Sequence, residues 1–138
     1  MLRLLLDTNA LLWLSGGSER LGPVARGAIE TAIDDGLAAF SAISVWEAAM
    51  LVRKGRYALG QSVEAWRADL LAAGLAEAPL EGLAAAMAGG FDALHEDPAD
   101  RFILATAQRL GARLVTSDQR LMHWAACAGG AGGMDARV

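Results

Sequence analysis

Short apolar runs alternate along this chain with longer segments of helical periodicity. The first run, Leu4–Leu6, ends abruptly at Asp7, and comparable runs follow at residues 37–40, 75–78 and 113–116. A short apolar run bounded by polar residues is typical of a strand buried on both faces of a parallel sheet. The pattern predicts buried strands of this kind at the first run and at 113–116, a second short strand at 37–40 and a possible strand at 75–78. It leaves residues 134–138 open as a short edge strand or a loose tail.

Helices are predicted between these runs, where apolar residues recur three and four positions apart. Pro23 after Gly22, and Pro98 after Asp97, are typical of helix starts, and Gly111 is a typical helix end. The predicted helices cover residues 10–14, 23–34, 41–55, 62–74, 80–88, 97–111 and 121–126. Strands that alternate with helices pair in parallel through right-handed crossovers. The fold class is therefore α/β, a three-layer α/β/α sandwich with a central, mainly parallel sheet.

The length of 138 residues suits one domain. We place that domain at residues 1–128, followed by a glycine-rich C-terminal tail at 129–138 that we expect to be flexible, apart from the edge strand left open above. Cys127 is the single cysteine, which excludes an intrachain disulfide and favours a reducing compartment. The apolar runs are too short to span a bilayer, so we expect a soluble, cytoplasmic protein with no membrane partner.

Four acidic residues stand at strand ends or helix starts: Asp7, Glu47, Asp100 and Asp118. Each has a purely structural alternative, since Asp7 and Asp118 could cap helices and Asp100 could serve the helix dipole. Glu47 could form a capping box with Ser44, three residues earlier. In a parallel sheet, however, all four positions lie at one edge, where ligand crevices form. Their shared edge favours a functional acidic cluster.

A cluster of carboxylates repels itself unless positive charge sits among them, and only Arg101 and helix dipoles are near in sequence. Oxygen ligands without histidine or cysteine favour Mg²⁺ or Mn²⁺. Two such ions could hold a phosphodiester and activate water. Four polar neighbours could orient the carboxylates or merely satisfy backbone groups: Thr8, Asn9, Thr116 and Ser117. Asp97 is in any case expected to cap its helix.

The net charge of −4 excludes binding of nucleic acid through bulk positive charge, so any contact must be local. Candidate RNA contacts are Arg53, Lys54, Arg56 and Arg101, although the first three could simply be a solvated helix end. His95 and His123 lack partners at metal-ligand spacing and are interpreted as structural. The four tryptophans are expected in the core or at an interface rather than as base-stacking platforms: Trp13, Trp46, Trp66 and Trp124.

The chain resembles the PIN-domain family, and within it the VapC-like toxin ribonucleases of toxin–antitoxin systems. The matching segments are 4–13, 41–48 around Trp46-Glu47, 95–101, and Thr116-Ser117-Asp118. The resemblance implies metal-dependent cleavage of RNA, with Asp7, Glu47, Asp100 and Asp118 as the acidic quartet and Asp118 as its most variable member. Asp97 matches a recurrent acid of the family, to which we assign helix capping and support of the quartet. The resemblance also implies a homodimer and a cognate small antitoxin as partner. The glycine-rich end from Gly129 departs from the usual final strand of the family.

Two other functions fit parts of the sequence. An aspartyl-phosphate phosphatase also begins with a strand that ends in Asp. That chemistry requires a second Asp where this chain has Asn9, and a downstream Lys that we do not find. A non-catalytic PIN-like module that only binds its partner or RNA would be the alternative outside the enzymes.

Overall fold

The computed structural model describes residues 2–92, 97–127 and 131–138. Its strands are β1 (Leu4–Leu6), β2 (Ala38–Ser41), β3 (Ala76–Ala78), β4 (Arg113–Thr116) and β5 (Gly133–Asp135). Its helices are α1 (Thr8–Ser15), α2 (Pro23–Asp34), α3 (Ala42–Arg53), α4 (Val63–Ala72), α5 (Gly82–Gly89), α6 (Pro98–Leu110) and α7 (Gln119–Cys127). None of these described helices is long and apolar enough to cross a membrane.

The sheet is parallel throughout, with strand order β3-β2-β1-β4-β5. Leu6 of β1 is level with Phe40 of β2 on one side and with Val115 of β4 on the other. The chain runs outward from β1 to β3 and then resumes on the other side of β1 at β4. In open α/β sheets, ligands bind outside the carboxyl ends of the strands where the order reverses in this way. Here that point lies between β1 and β4.

The two faces of β1 are covered by different helices. Leu4 and Leu6 pack in one core with residues of α1, α2 and α4, whereas Leu5 packs in a second core with residues of α6 and α7. Side chains alternate between the faces of a strand, so three consecutive leucines supply both cores. Helix α5 lies outside α6, where Ala84 and Ala88 meet Ala105. These layers confirm the predicted α/β/α sandwich.

The C-terminal segment 131–138 is joined to both β4 and the start of α2. Strand β5 pairs with β4, and the N–H of Gly22 donates to the carbonyl of Ala136 at 2.8 Å. The N–H of Val24, which has no partner within its own helix, donates to the carbonyl of Val138 at 3.0 Å. The predicted domain boundary at residue 128, with Gly129 and Gly130, lies outside the described residues.

Gly22→Ala should destabilise the fold, whereas Gly27→Ala should not. A Cβ at Gly22 would lie 2.5 Å from the carbonyl carbon of Arg137, while at Gly27, within α2, it would meet nothing within 4 Å. Overpacking of this kind costs about 1–3 kcal/mol, and alanine inside a helix gains roughly 0.5–1 kcal/mol over glycine. Urea unfolding measures both free energies. Equal shifts in the two variants would contradict the close packing of the C-terminal segment on Gly22.

Candidate active site

Asp7 lies at the carboxyl end of β1, and the structure holds both of its carboxylate oxygens. Its Oδ1 accepts a hydrogen bond from the N–H of Ala10 at 2.8 Å, and its Oδ2 accepts one from the Thr116 hydroxyl at 2.5 Å. The side chain thus caps α1 and also reaches across to the end of β4. Asp7 is 4% exposed to solvent. The sequence offered helix capping and a position in the crevice as alternatives for Asp7. In the structure Asp7 combines the two.

Burial is the main electrostatic influence on Asp7. Loss of hydration raises the pKa of its carboxyl group from 3.8 to about 7, against hydrogen bonds from Thr116 and Ala10 that lower it. The negative charges of Asp100 and Glu47 raise this pKa further. Positive charge nearby would favour the ionised form of this carboxyl group, in addition to the two hydrogen bonds.

Glu47 lies in the second turn of α3, on the side that faces α1 and α6. Helix α3 is capped by Ser41, whose hydroxyl accepts a hydrogen bond from the N–H of Ile43 at 3.1 Å. The capping-box alternative for Glu47 is therefore wrong, because Ser44 lies inside the helix and its Oγ is 2.9 Å from Oγ1 of Thr8. The i, i+3 spacing of Ser44 and Glu47 instead places both on one helix face.

The pKa of Glu47 is raised first by burial and then by the charges of Asp97 and Asp100, against a hydrogen bond from the Thr8 side chain that lowers it. The charge of Asp100 thus raises the pKa of both Glu47 and Asp7. Residues 7, 47 and 100, distant in sequence, share one electrostatic environment.

Helix α6 contributes its N-terminus to this edge of the sheet. Asp97 caps the helix, as predicted, by accepting a hydrogen bond from the N–H of Ala99 at 3.0 Å, and Pro98 occupies the first turn. Ala99 and Ile103 are fully buried in the second core, which fixes the position of the helix. The half-buried Asp100 lies between them in the first turn.

Asp118 joins the site through its backbone. Its N–H donates to the Thr116 hydroxyl at 3.0 Å, and the same hydroxyl donates to Asp7. The Asp118 carboxylate accepts hydrogen bonds from the N–H groups of Arg120 at 2.8 Å and Leu121 at 3.4 Å. The structural role suggested for Asp118 is therefore present, and Thr116 links it to Asp7.

The remaining predicted residues lie at differing distances from this cluster. Ser117 is half-buried after β4, and Asn9 is exposed on α1. Arg101 donates hydrogen bonds to the carbonyls of Ala88 at 2.9 Å and Phe91 at 2.5 Å, so its guanidinium group secures the end of α5.

Arg53, one of the predicted RNA contacts, is the last residue of α3 and is exposed. Lys54 and Arg56 line a pocket together with Glu47 and Asp97. His95 lies outside the described residues, and His123 is exposed on α7.

The donor chemistry of this cluster fits a hard divalent cation. Its acids offer oxygen ligands only, and the raised pKa values of Asp7 and Glu47 reflect repulsion and burial that a cation would offset. Across residues 2–92, 97–127 and 131–138, no three Asp, Glu, His or Cys side chains form a complete set of metal ligands. Mg²⁺ usually keeps several water ligands and is bound by one or two carboxylates, so a complete set of protein ligands is not needed.

A family model and a related protein indicate one family, and a solved structure shares the fold. The model of the PIN domain family matches residues 4–126. The chain is 38% identical over 121 residues to Ribonuclease VapC22 of Mycobacterium tuberculosis (strain ATCC 25618 / H37Rv), covering 88% of this chain and 91% of that protein. A solved structure of FitAB bound to an IR36 DNA fragment has a TM-score of 0.56 at 19% identity, covering 83% of this chain and 85% of that one.

Asp7→Asn should stabilise the ion-free protein at neutral pH. The pKa of Asp7 is raised from 3.8 to about 7, which corresponds to a cost of about 4 kcal/mol for the ionised form. Because the folded state binds the extra proton between about pH 4 and pH 7, the free energy of unfolding should fall as pH rises through that range.

Asparagine does not ionise, so the variant should lack this fall. Urea unfolding in EDTA should show Asp7→Asn more stable than the parent at pH 8, with the difference vanishing near pH 4. The raised pKa of Asp7 would be contradicted if the stability of the parent protein rose between pH 4 and pH 7 in step with that of the variant.

Proposed function

Because the chain belongs to the PIN domain family, we propose that it is an endoribonuclease that hydrolyses RNA phosphodiester bonds with carboxylate-held Mg²⁺ or Mn²⁺. The observation that carries the proposal is the buried Asp7 carboxylate, whose pKa is raised by burial and by Asp100 and Glu47. Similarity to a ribonuclease over most of the chain supports the choice of RNA as substrate.

We assign the role of metal ligands to Asp7, Glu47, Asp100 and Asp118. A divalent cation at this position supplies Lewis acidity that lowers the pKa of a water molecule and offsets charge on a phosphodiester. The four acids bind and orient rather than attack. Asp118 has the weakest claim, because its carboxylate already accepts two backbone hydrogen bonds.

Hydroxyl groups would hold the acids in position. Thr116 fixes Oδ2 of Asp7, and Thr8 donates to Glu47 while contacting Ser44. Outer hydrogen-bond partners of this kind orient metal ligands in proteins. We propose the same supporting role for Asp97, Ser117 and Asn9.

The partners follow from the family. We propose that the chain is the toxin of a toxin–antitoxin pair, acts in the cytoplasm as a homodimer, and is inhibited by a small cognate antitoxin. Arg53, Lys54, Arg56 and Arg101 are the proposed RNA contacts.

Co-expression with the product of a short adjacent reading frame should yield a complex that no longer cleaves RNA. An adjacent product that neither binds nor inhibits would contradict the toxin role.

Asp100→Asn should abolish cleavage of RNA without unfolding the protein. Loss of one partner around a metal ligand commonly costs about 10- to 100-fold in affinity or activity, so loss of a ligand itself should cost at least about 100-fold. Purified parent protein should cut total RNA with Mg²⁺ or Mn²⁺ and stop when EDTA is added. Cleavage on denaturing gels and thermal unfolding together provide the readout.

Asp34→Asn is the matched control, because Asp34 is an exposed carboxylate at the end of α2. It should cut RNA as the parent does. The assignment fails if Asp100→Asn retains parental activity, or if cleavage by the parent is unaffected by EDTA.

A further inference from the structure

The exposure of Trp46 to solvent is unusual for a tryptophan that the helical spacing assigns to the core or an interface. It is 48% exposed, on α3, directly before Glu47. Trp66, by contrast, is 3% exposed, and its indole N–H donates to the Ser15 hydroxyl at 3.0 Å. A large aromatic surface is thus presented to solvent beside the acidic cluster.

A pocket of about 200 Å³ lies next to this indole. Trp46, Met50 and Lys54 line it from positions four residues apart, which place them in one row along α3. Gly55 has a φ of 70°, which suits the left-handed turn after the helix, and Arg56 beyond it also reaches the pocket. Glu47, a member of the acidic cluster, and Asp97 line the same pocket.

The pocket therefore joins three kinds of chemistry over roughly two helical turns, about 12 Å. Two acids, an aromatic ring with a thioether, and two cations all line this one pocket. This combination matches a single strand of RNA, in which bases stack on aromatic rings while the backbone contacts Lys and Arg.

We propose that Trp46 binds the substrate by stacking a nucleobase of single-stranded RNA beside the cleaved bond, with Lys54 and Arg56 contacting its phosphates. The inference rests on the proposed ribonuclease function. An apolar peptide anchor is the weaker fit, because it would bury Met50 and Trp46 but offer no anionic group of its own to Lys54 and Arg56. The assignment adds a substrate-binding residue to the acids.

Steady-state cleavage tests this inference on an oligoribonucleotide that contains a site cut by the parent chain. Base–aromatic stacking lost on substitution by alanine corresponds to about 5- to 150-fold weaker binding. Trp46→Ala should therefore raise KM by that factor and change kcat much less. Trp46→Phe, which keeps an aromatic face, should recover most of the loss, and RNA should quench the tryptophan fluorescence of the parent more than that of Trp46→Phe.

Val24→Ala is the control, because Val24 is an exposed apolar residue, at 63%, on the distant helix α2. A Trp46→Ala protein with the KM of the parent would overturn the inference while leaving the ribonuclease function intact. Normal RNA kinetics combined with loss of inhibition by an antitoxin would also overturn it, in favour of a protein-binding surface. If the parent cuts no RNA, the proposed function fails and this inference fails with it.

Discussion

A carboxylate held out of water at the end of the central strand is the constraint on which this site depends. Asp7 cannot turn away from the sheet, because one of its oxygens is bound by the start of α1 and the other by Thr116. Its backbone N–H also donates to the carbonyl of Val115 at 3.0 Å. The fold therefore fixes a group whose charged form is costly to bury, and a cation is the simplest way to offset that cost.

The parallel sheet explains how acids so far apart in sequence share one environment. Each crossover returns the chain to the same end of the sheet, so β1, β2 and β4 all deliver their last residues to one edge. Glu47 and Asp100 then follow on helices that begin at that edge. The strand order reverses between β1 and β4, and the hydrogen bond between Thr116 and Asp7 crosses that point. Position in the fold, rather than sequence spacing, assembles the cluster.

Local signals were sufficient to predict most of the fold. Three leucines before Asp7 specify a strand buried on both faces, and Asp97-Pro98 with Gly111 specify the start and end of α6, as the structure confirms. The expectation that Asp7, Glu47 and Asp100 share one edge also followed from parallel strands and the helix starts that come after them.

Details that depend on three-dimensional packing were not accessible in the same way. The Ser44–Glu47 spacing is ambiguous, since a capping box and a shared helix face look alike until Ser41 is known to cap α3. The exposure of Trp46 depends on which helix face the neighbouring elements leave uncovered. Residues 131–138 pair with β4 and also accept hydrogen bonds from Gly22 and Val24, which are far away in sequence.

A ¹³C NMR titration of the aspartate carboxyl groups, with and without Mg²⁺, tests the central claim most directly. In EDTA one aspartate, identified as Asp7 by its absence from the Asp7→Asn spectrum, should titrate near pH 7, and Mg²⁺ should move its titration to clearly lower pH. An Asp7 carboxyl that titrates near its ordinary value of 3.8 and does not respond to Mg²⁺ would contradict the account.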